Sequence, residues 1–146
     1  MAGTHLSINA AGLEPLRQRV QTMAGLDTAS LMPQLGEYLL ASTQDRFASQ
    51  TDPEGSPWEA LQPRTIKRKK YNAARVLTER GFLRKNLRYQ VLSSSAVQVG
   101  SNLPHAATHQ FGRGNIPPRP YLGLSRADRS EILEIIADWA AELGFK

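Results

Sequence analysis

The chain has 146 residues, 40% of them hydrophobic and 21% charged, and a formal net charge of +5. These values predict a single soluble domain whose hydrophobic core is large enough to be stable without covalent cross-links. Because the sequence contains no cysteine, disulfide scaffolds, thiolate nucleophiles and cysteine-ligated metal sites are excluded. The sequence shows neither a secretory leader nor an apolar run long enough to span a bilayer, so we expect a soluble protein made in the cytoplasm.

The first third of the chain predicts a strand followed by two helices. Residues 4–9 alternate around two apolar residues, which is typical of a short strand. Apolar residues at helical spacing predict a helix over 13–23 and a longer one that ends near Ser49. Thr28 or Ser30 is placed to cap the longer helix.

The middle of the chain combines short predicted helices with most of the positive charge. A loop rich in proline and glycine over 51–57 precedes a short helix that begins at Pro63, and another short helix is expected from Leu77 to Leu87. Residues 62–90 hold ten basic residues and one acidic residue, so this segment carries +9 and the rest of the chain −4.

This basic segment contains a candidate basic docking face. The residues assigned to that face are Arg64, Lys67, Arg68, Lys69, Lys70, Arg84 and Lys85. Concentrated positive charge can bind an acidic protein surface or neutralise the phosphates of a nucleic acid. A solvated surface without a partner is the third possibility.

The second half of the chain predicts a hairpin and a C-terminal helix. Apolar and polar residues alternate on both sides of a serine-rich turn, which favours a β-hairpin over 87–100. A short helix is expected over 105–111 and an edge strand over 120–122. Ser125 and Asp128 form a capping-box pattern at the start of the last helix, whose apolar stripe runs from Ile132 to Leu143.

Together these elements predict an α+β fold. A small, mostly antiparallel β-sheet, built around the hairpin, packs against the long helix and the C-terminal helix. We describe residues 1–146 as a single domain, with an N-terminal strand and helix over 1–27 and a main body over 28–146.

His105 and His109 are the pair of residues that most resembles a metal site. On a helix, the spacing of four residues places both imidazoles on one face. Ala106 occupies the position at which zinc proteases carry a glutamate, and no third ligand lies in the motif. A metallohydrolase stays open as an alternative, but we predict no metal, no cofactor and no catalytic residue.

A second candidate site is the proline-rich segment over 116–122. Three prolines fix the backbone and favour a stiff, extended conformation that loses little entropy on docking. This favours an assembly interface, and a rigid connector between elements is the alternative. The candidate interface residues are Arg113, Pro117, Pro118, Arg119, Pro120 and Tyr121.

Several blocks, in this order, resemble the phage virion morphogenesis family, which includes tail-completion proteins of Mu-like and related contractile-tailed temperate phages. The blocks are residues 52–61, Thr65 with the following lysines, and residues 77–83, 97–100, 106–112 and 116–125. The resemblance covers most of the chain, from about Leu31 to Leu143. It departs from the family pattern at His105, which is often Tyr, at Pro118, which is often a small residue, and at Arg80, which is often Ser or Thr.

The resemblance implies a structural role late in virion assembly rather than an enzymatic one. It implies that the protein completes the tail or neck and allows head–tail joining as a homo-oligomeric ring, with a hexamer favoured. The implied partners are tail tube or terminator proteins, head connector proteins and packaged DNA, with no membrane. The implied location is the virion, after assembly in the host bacterial cytoplasm, and the source is a phage, a prophage or a phage-tail-like particle. The alternative function is a non-specific nucleic-acid-binding module that uses the basic segment.

The resemblance also implies roles for single residues. The family-motif residues, which we expect to be structural, are Trp58, Leu61, Thr65, Gly81, Leu83, His109, Gln110, Phe111, Gly112 and Gly123. Four apolar members are expected as core anchors, namely Trp58, Leu61, Leu83 and Phe111. The glycines are expected at turns, and Arg119 is the main candidate for a contact with a subunit or partner.

Overall fold

The structure, a computed structural model, describes residues 4–9, Gln18 and residues 27–144. Apart from Gln18, which is helical, the predicted helix over 13–23 lies outside the described residues. The strands are β1 (Thr4–Asn9), β2 (Arg88–Ser93) and β3 (Ala96–Ser101), and the helices are α1 (Leu31–Ser49), α2 (Pro63–Arg68), α3 (Phe82–Lys85), α4 (Ala106–Phe111) and α5 (Arg126–Glu142).

The three strands form an antiparallel sheet in the order β1-β3-β2. Strand β3 is central, so Thr4 pairs with Ser101 on one side and Arg88 with Gly100 on the other. A bulge interrupts the ladder between Val91 and Ser93. Helices α1 and α5 pack together, and α1 also covers β2 and β3. The predicted α+β fold, with its small sheet, long helix and C-terminal helix, is confirmed.

Helix α1 forms because its apolar residues recur on one face. Leu31, Leu35, Leu39 and Phe47 are all buried, as the helical spacing predicted. A 3-10 turn leads into the helix, and the carboxylate of Asp27 caps that turn by accepting from the amide of Ala29 at 2.9 Å. The predicted caps are therefore wrong, because Ser30 makes no capping bond and Thr28 instead donates to the carbonyl of Ser94.

Helix α5 begins with the predicted capping box. The Ser125 hydroxyl accepts from the amide of Asp128, and the Asp128 carboxylate accepts from the amide of Ser125, both at 2.9 Å. Ile132 and Trp139 are buried along the predicted stripe, but Leu143 at its end is 47% exposed. The stripe is thus shorter than predicted.

Two predicted elements differ from the structure. Only Phe82–Lys85 is helical in the region predicted as a helix from Leu77 to Leu87, because Leu77 has a positive φ of 54° and Gly81 adopts a left-handed conformation. The predicted edge strand over 120–122 is absent, and that segment is irregular backbone. None of the helices in the described ranges is both long and apolar enough to cross a membrane.

Candidate functional site

A groove of about 850 Å³ opens on the surface of the described residues. Helix α2, the turn over 77–81 and the first residues of α3 form one wall, while α4 and the loop over 115–119 form the other. The groove therefore brings the basic segment and the proline-rich segment together. We call it the basic groove.

Four of the seven residues predicted for the basic docking face line this groove, namely Arg64, Arg68, Lys69 and Lys70. The other three, Lys67, Arg84 and Lys85, are exposed outside it. Glu79 is the one carboxylate among the described residues that line the groove. The groove is therefore strongly cationic.

Lys69 differs from the other cations because it holds the groove wall together. Its ammonium donates to the carbonyls of Arg75 and Thr78, at 2.6 and 2.8 Å. Burial lowers the pKa of Lys69, and the nearby carboxylate of Glu79 offsets part of that effect. Lys69 thus stabilises the loop over 69–78 by bonding to two of its backbone carbonyls.

Arg80 belongs to the groove although the predicted docking face omitted it. Its guanidinium lies over the ring of Tyr71, 5.4 Å from the ring centroid, a distance at which a cation and an aromatic face attract each other. The sequence signal was its position within the same basic segment.

The two histidines lie together on the opposite wall. The ring centroids of His105 and His109 are 5.5 Å apart. Burial, followed by the charges of His105 and Arg119, lowers the pKa of His109, and its Nδ1 is buried without a hydrogen-bond partner among the described residues. Within the described part of the chain, no group of three or more His, Cys, Asp or Glu side chains is placed to hold a metal ion.

Arg119 is buried, with 7% of its surface exposed. Its guanidinium donates to the carbonyls of Glu59 and Ala60, at 2.7 and 3.2 Å. Arg119, the main candidate for a contact with a subunit or partner, is thus bonded inside its own subunit. It fastens the proline-rich segment to residues 59–60.

Tyr121 is also buried rather than displayed. No part of its side chain is exposed, and its hydroxyl donates to the carbonyl of Ala106 at 2.9 Å. Its ring lies 5.6 Å from that of Phe47, which in turn meets Trp58 edge-on at 5.4 Å. Burial raises the pKa of Tyr121 far above its usual value. Tyr121 is therefore a core residue.

The remaining candidate interface residues lie nearer to solvent. Arg113 and Pro118 are exposed, while Pro117 and Pro120 are half-buried. Next to them, Phe111 is 71% exposed, so its predicted role as a core anchor is wrong. Helix α4 is too short to bury a second face, and Phe111 is its last residue.

A buried ion pair connects this region to the two long helices. Arg46 of α1 and Asp128 of α5 approach to 2.5 Å and are almost fully buried. Arg46 also donates to the carbonyl of Tyr121 at 2.8 Å, and Asp128 accepts from Tyr38 at 2.9 Å and from Ser42 at 2.5 Å.

Electrostatics within this network favour the ionised aspartate. Burial alone would raise the pKa of Asp128, but hydrogen bonds from Ser42, Ser125 and Tyr38 and the charge of Arg46 outweigh it, so that pKa is lowered. Burial and the same carboxylate raise the pKa of Tyr38 to about 12. The sequence predicted Asp128 only as a capping residue.

Comparison with known protein families matches residues 8–141 to the phage virion morphogenesis family. The chain belongs to that family. A curated relative is the "Putative capsid assembly protein G" of Escherichia phage Mu, 30% identical over 110 residues that cover 67% of this chain and 70% of the relative. Another is the "Mu-like prophage FluMu G protein 2" of Haemophilus influenzae, 50% identical over 48 residues that cover 28% of this chain and 35% of the relative. No solved structure matches the chain.

Gln110 shows how this member of the virion morphogenesis family uses one of its motif residues. Its side-chain oxygen accepts from the amides of Tyr121 and Leu122, at 3.1 and 3.0 Å, and its side-chain nitrogen donates to the carbonyl of Leu122 at 3.1 Å. The side chain therefore satisfies the backbone of residues 121–122 as a neighbouring strand would.

Gly112 of the virion morphogenesis motif follows directly after α4. It has a φ of 76°, and a Cβ atom there would lie 2.9 Å from the carbonyl oxygen of Ile116 and from Cδ of Pro118. Both facts favour glycine, because other residues rarely adopt this backbone and would collide with the loop. Gly112 thus allows the proline-rich segment to fold back on α4.

The other motif residues of the virion morphogenesis family lie in the core, at turns or at the groove. Trp58 and Leu83 are buried, and Leu61 packs against the core while lining the groove. Thr65 and His109 also line the groove, and Gly81 and Gly123 lie in turns with positive φ. The indole of Trp58 donates to the carbonyl of Pro120 at 2.7 Å.

Proposed function

We propose that this chain completes the phage tail or neck and enables head–tail joining as a homo-oligomeric ring, for which six subunits are favoured. Membership of the virion morphogenesis family over residues 8–141 carries the proposal. The name of the phage Mu relative, a putative capsid assembly protein, supports a role in building the particle.

In this mechanism the subunits assemble on the last layer of the tail tube. The ring stops extension of the tube and presents a docking surface to the head connector. The role is one of assembly and needs no catalysis. The proposed location in the finished particle is the junction between tail and head.

Two surfaces of the subunit suit contacts of this kind. The basic groove offers several cations around one carboxylate, which fits an acidic protein surface or packaged DNA. Phe111 at the end of α4 is exposed, and the loop that follows exposes Arg113 and Pro118 on a backbone stiffened by prolines. An exposed aromatic residue beside a rigid loop is a favourable anchor for a partner protein.

The test is removal of the gene from an inducible prophage that carries it. We expect lysates with filled heads and complete tails that remain unjoined, as seen by electron microscopy. Expression of the intact chain from a plasmid is expected to restore joined particles. Normal infectious particles without the chain would contradict the proposal.

A second candidate function is non-specific binding of nucleic acid, which the cations of the basic groove favour. This function predicts affinity for double-stranded DNA that falls steeply with salt, because bound counterions are released from phosphates. Fluorescence anisotropy with a labelled duplex over a salt series measures it. Negligible binding at low salt would remove this candidate.

A further inference from the structure

We propose that the basic groove of one copy receives the acidic face of helix α5 of the next copy around the ring. The inference rests on the proposed ring and identifies its subunit interface. Its occupant is a second copy of this chain.

Helix α5 carries a stripe of exposed acidic residues on the side away from the core. After Arg129 the helix contains no basic residue, and its exposed acidic residues are Glu131, Glu134, Asp138 and Glu142. Their spacing of three and four residues aligns them on one side of the helix, over about 16 Å at a rise of 1.5 Å per residue. We call this surface the acidic stripe.

Neither surface forms a salt bridge with another described residue of its own subunit. Among the described residues, the pair between Arg46 and Asp128 is the one side-chain ion pair, and it belongs to neither surface. The exposed groove cations Arg64, Arg68 and Arg80 therefore have charge available for a partner, as does the acidic stripe. Surfaces of opposite sign favour and orient association.

The two surfaces lie on opposite flanks of α1. Ser42 of α1 donates to Asp128 at the start of α5, at 2.5 Å, and Gln44 donates to the carbonyl of Arg84 in α3, at 3.3 Å. Two residues along a helix correspond to a rotation of about 200°. Helices α5 and α3 thus contact opposite sides of the long helix, and the first residues of α3, Phe82 and Leu83, line the groove.

This placement favours a head-to-tail contact between copies. A subunit with complementary surfaces on opposite flanks binds the next copy through a different patch from the one it presents to the previous copy. Such heterologous contacts repeat, and they form a ring when the rotation closes. A self-complementary contact would instead yield a dimer.

The groove also offers apolar surface that suits a protein helix better than a phosphate backbone. Phe82 is 57% exposed and Ile116 is 43% exposed on its walls. Apolar contacts inside a charged border are the usual composition of a protein interface.

The experiment reverses the charge of each surface separately. The helix variant is Glu134→Lys with Asp138→Lys, and the groove variant is Arg64→Glu with Arg68→Glu. Native mass spectrometry and light scattering of the purified chain are expected to show rings for the unmodified protein. Each variant is expected to lose ring affinity by about tenfold or more, because like charges then face each other.

Compensation distinguishes the interface from a general loss of folding. A chain with all four substitutions is expected to form rings again, since every contact pairs opposite charges. An equimolar mixture of the two variants is expected to form rings that contain equal numbers of each. Alternation closes only rings with an even number of subunits, so a hexamer predicts three copies of each variant.

The matched control for the helix variant is Asp45→Lys with Glu54→Lys, which makes the same change in net charge on exposed residues outside both surfaces. This variant is expected to assemble like the unmodified chain. If the four-substitution chain does not fold, as judged by circular dichroism, the mixture of the two variants decides.

The interface is contradicted if the unmodified chain stays monomeric at every concentration tested. It is also contradicted if the helix and groove variants form rings as readily as the unmodified chain, or if folded compensating variants fail to assemble. If rings still form after charge reversal, the proposed interface is wrong, but the proposed role in head–tail joining is unaffected. If infectious particles form without the gene, the proposed role in head–tail joining is wrong, but a ring held by charged contacts remains possible.

Discussion

Asp128 shows how one carboxylate can serve three elements. It caps its own helix through the amide of Ser125, pairs with Arg46 of α1 and, through that arginine, fixes the carbonyl of Tyr121. A buried pair of this kind contributes modestly as a whole, but removal of one partner leaves the other charge buried and uncompensated.

We therefore expect Asp128→Asn to lower the free energy of unfolding by about 3 kcal/mol, near the lower end of the cost of breaking a buried ion pair. Urea denaturation followed by tryptophan fluorescence measures the change. Asp45→Asn, which removes an exposed carboxylate from α1, is the control and should change stability by less than about 0.5 kcal/mol. Equal effects of the two substitutions would contradict the role of Asp128.

Acid should weaken the fold in two separate ranges of pH. The pKa of Asp128 is lowered by folding, so its stabilisation is complete above the unfolded value of about 3.9 and is lost as the pH falls from there toward the folded pKa. The pKa of His109 is also lowered by folding. Its stabilisation is therefore complete above the unfolded pKa of about 6.5 and is lost below it.

Denaturation curves at a series of pH values separate the two groups. Asp128→Asn is expected to flatten the dependence below about pH 4, and His109→Gln to flatten it just below about pH 6.5. A variant whose curve keeps the full slope in its own range would count against the corresponding group.

At the scale of elements, α1 approaches the sheet closely because Gly36 has no side chain. A Cβ atom at this position would lie 2.3 Å from Cδ2 of Tyr89 in β2. The hydroxyl of Tyr89 also donates to Glu37 of α1 at 3.1 Å. The distance between this helix and the edge strand is thus determined by one glycine and one aromatic ring.

Gly36→Ala is expected to destabilise the protein by about 1–3 kcal/mol, the usual cost of overpacking, even though alanine favours the helix. Adding Tyr89→Leu should recover part of this loss, since the ring that collides is removed. Thermal unfolding of the single and double variants provides the measurement. A gain in stability from Gly36→Ala alone would show that the helix can move away without cost.

The segment after α4 explains why an edge strand was predicted and is absent. Pro120 has no amide hydrogen, and the amides of Tyr121 and Leu122 are taken by Gln110. Prolines favour extended backbone but do not indicate which strand would pair with it. A side chain has taken the place of the neighbouring strand.

Gln110→Ala should therefore cost more than the loss of an ordinary surface side chain. It leaves two amides and one carbonyl unpaired beside the core, and each unpaired buried group costs about 1–3 kcal/mol. Water that enters the site will offset part of this, so we expect a loss of about 2–4 kcal/mol in urea denaturation. Gln44→Ala, which removes a single exposed hydrogen bond, is the control and should cost under about 1 kcal/mol.

At the scale of the whole molecule, the distribution of charge over the surface tells more about contacts with partners than the net charge does. The net charge of +5 combines a segment of +9 with a remainder of −4. In the folded chain the cationic part lines a groove and the acidic stripe follows α5. The proposed ring should consequently dissociate as salt rises, because contacts near the surface are screened over about 8 Å at physiological ionic strength.

Ring mass measured at increasing potassium chloride concentrations checks this expectation. A ring whose stability is independent of salt would indicate an interface dominated by apolar contacts instead. The helix and groove variants described above are expected to show the opposite trend, with high salt partly relieving their repulsion.

Local signals in the sequence predicted the long helices and the hairpin, because periodicity and capping depend on residues that are close together in the chain. The ion pair between Arg46 and Asp128 joins residues 82 positions apart, so neither residue signals the other. The basic segment was visible as composition, but its groove needs the wall from α4 and the loop over 115–119. Exposure of Phe111 likewise depends on how a short helix is oriented, which spacing does not determine.

The central position of β3 has a consequence for the order of folding during synthesis. Asn9 of β1 pairs with Ala96 of β3, so the first strand must wait for a partner that leaves the ribosome much later. Closing such a long loop is entropically costly, and distant strand pairing slows folding. A nascent chain that stops before β3 therefore lacks the middle of its sheet. Formation of the complete sheet is in this way delayed until most of the subunit has been translated.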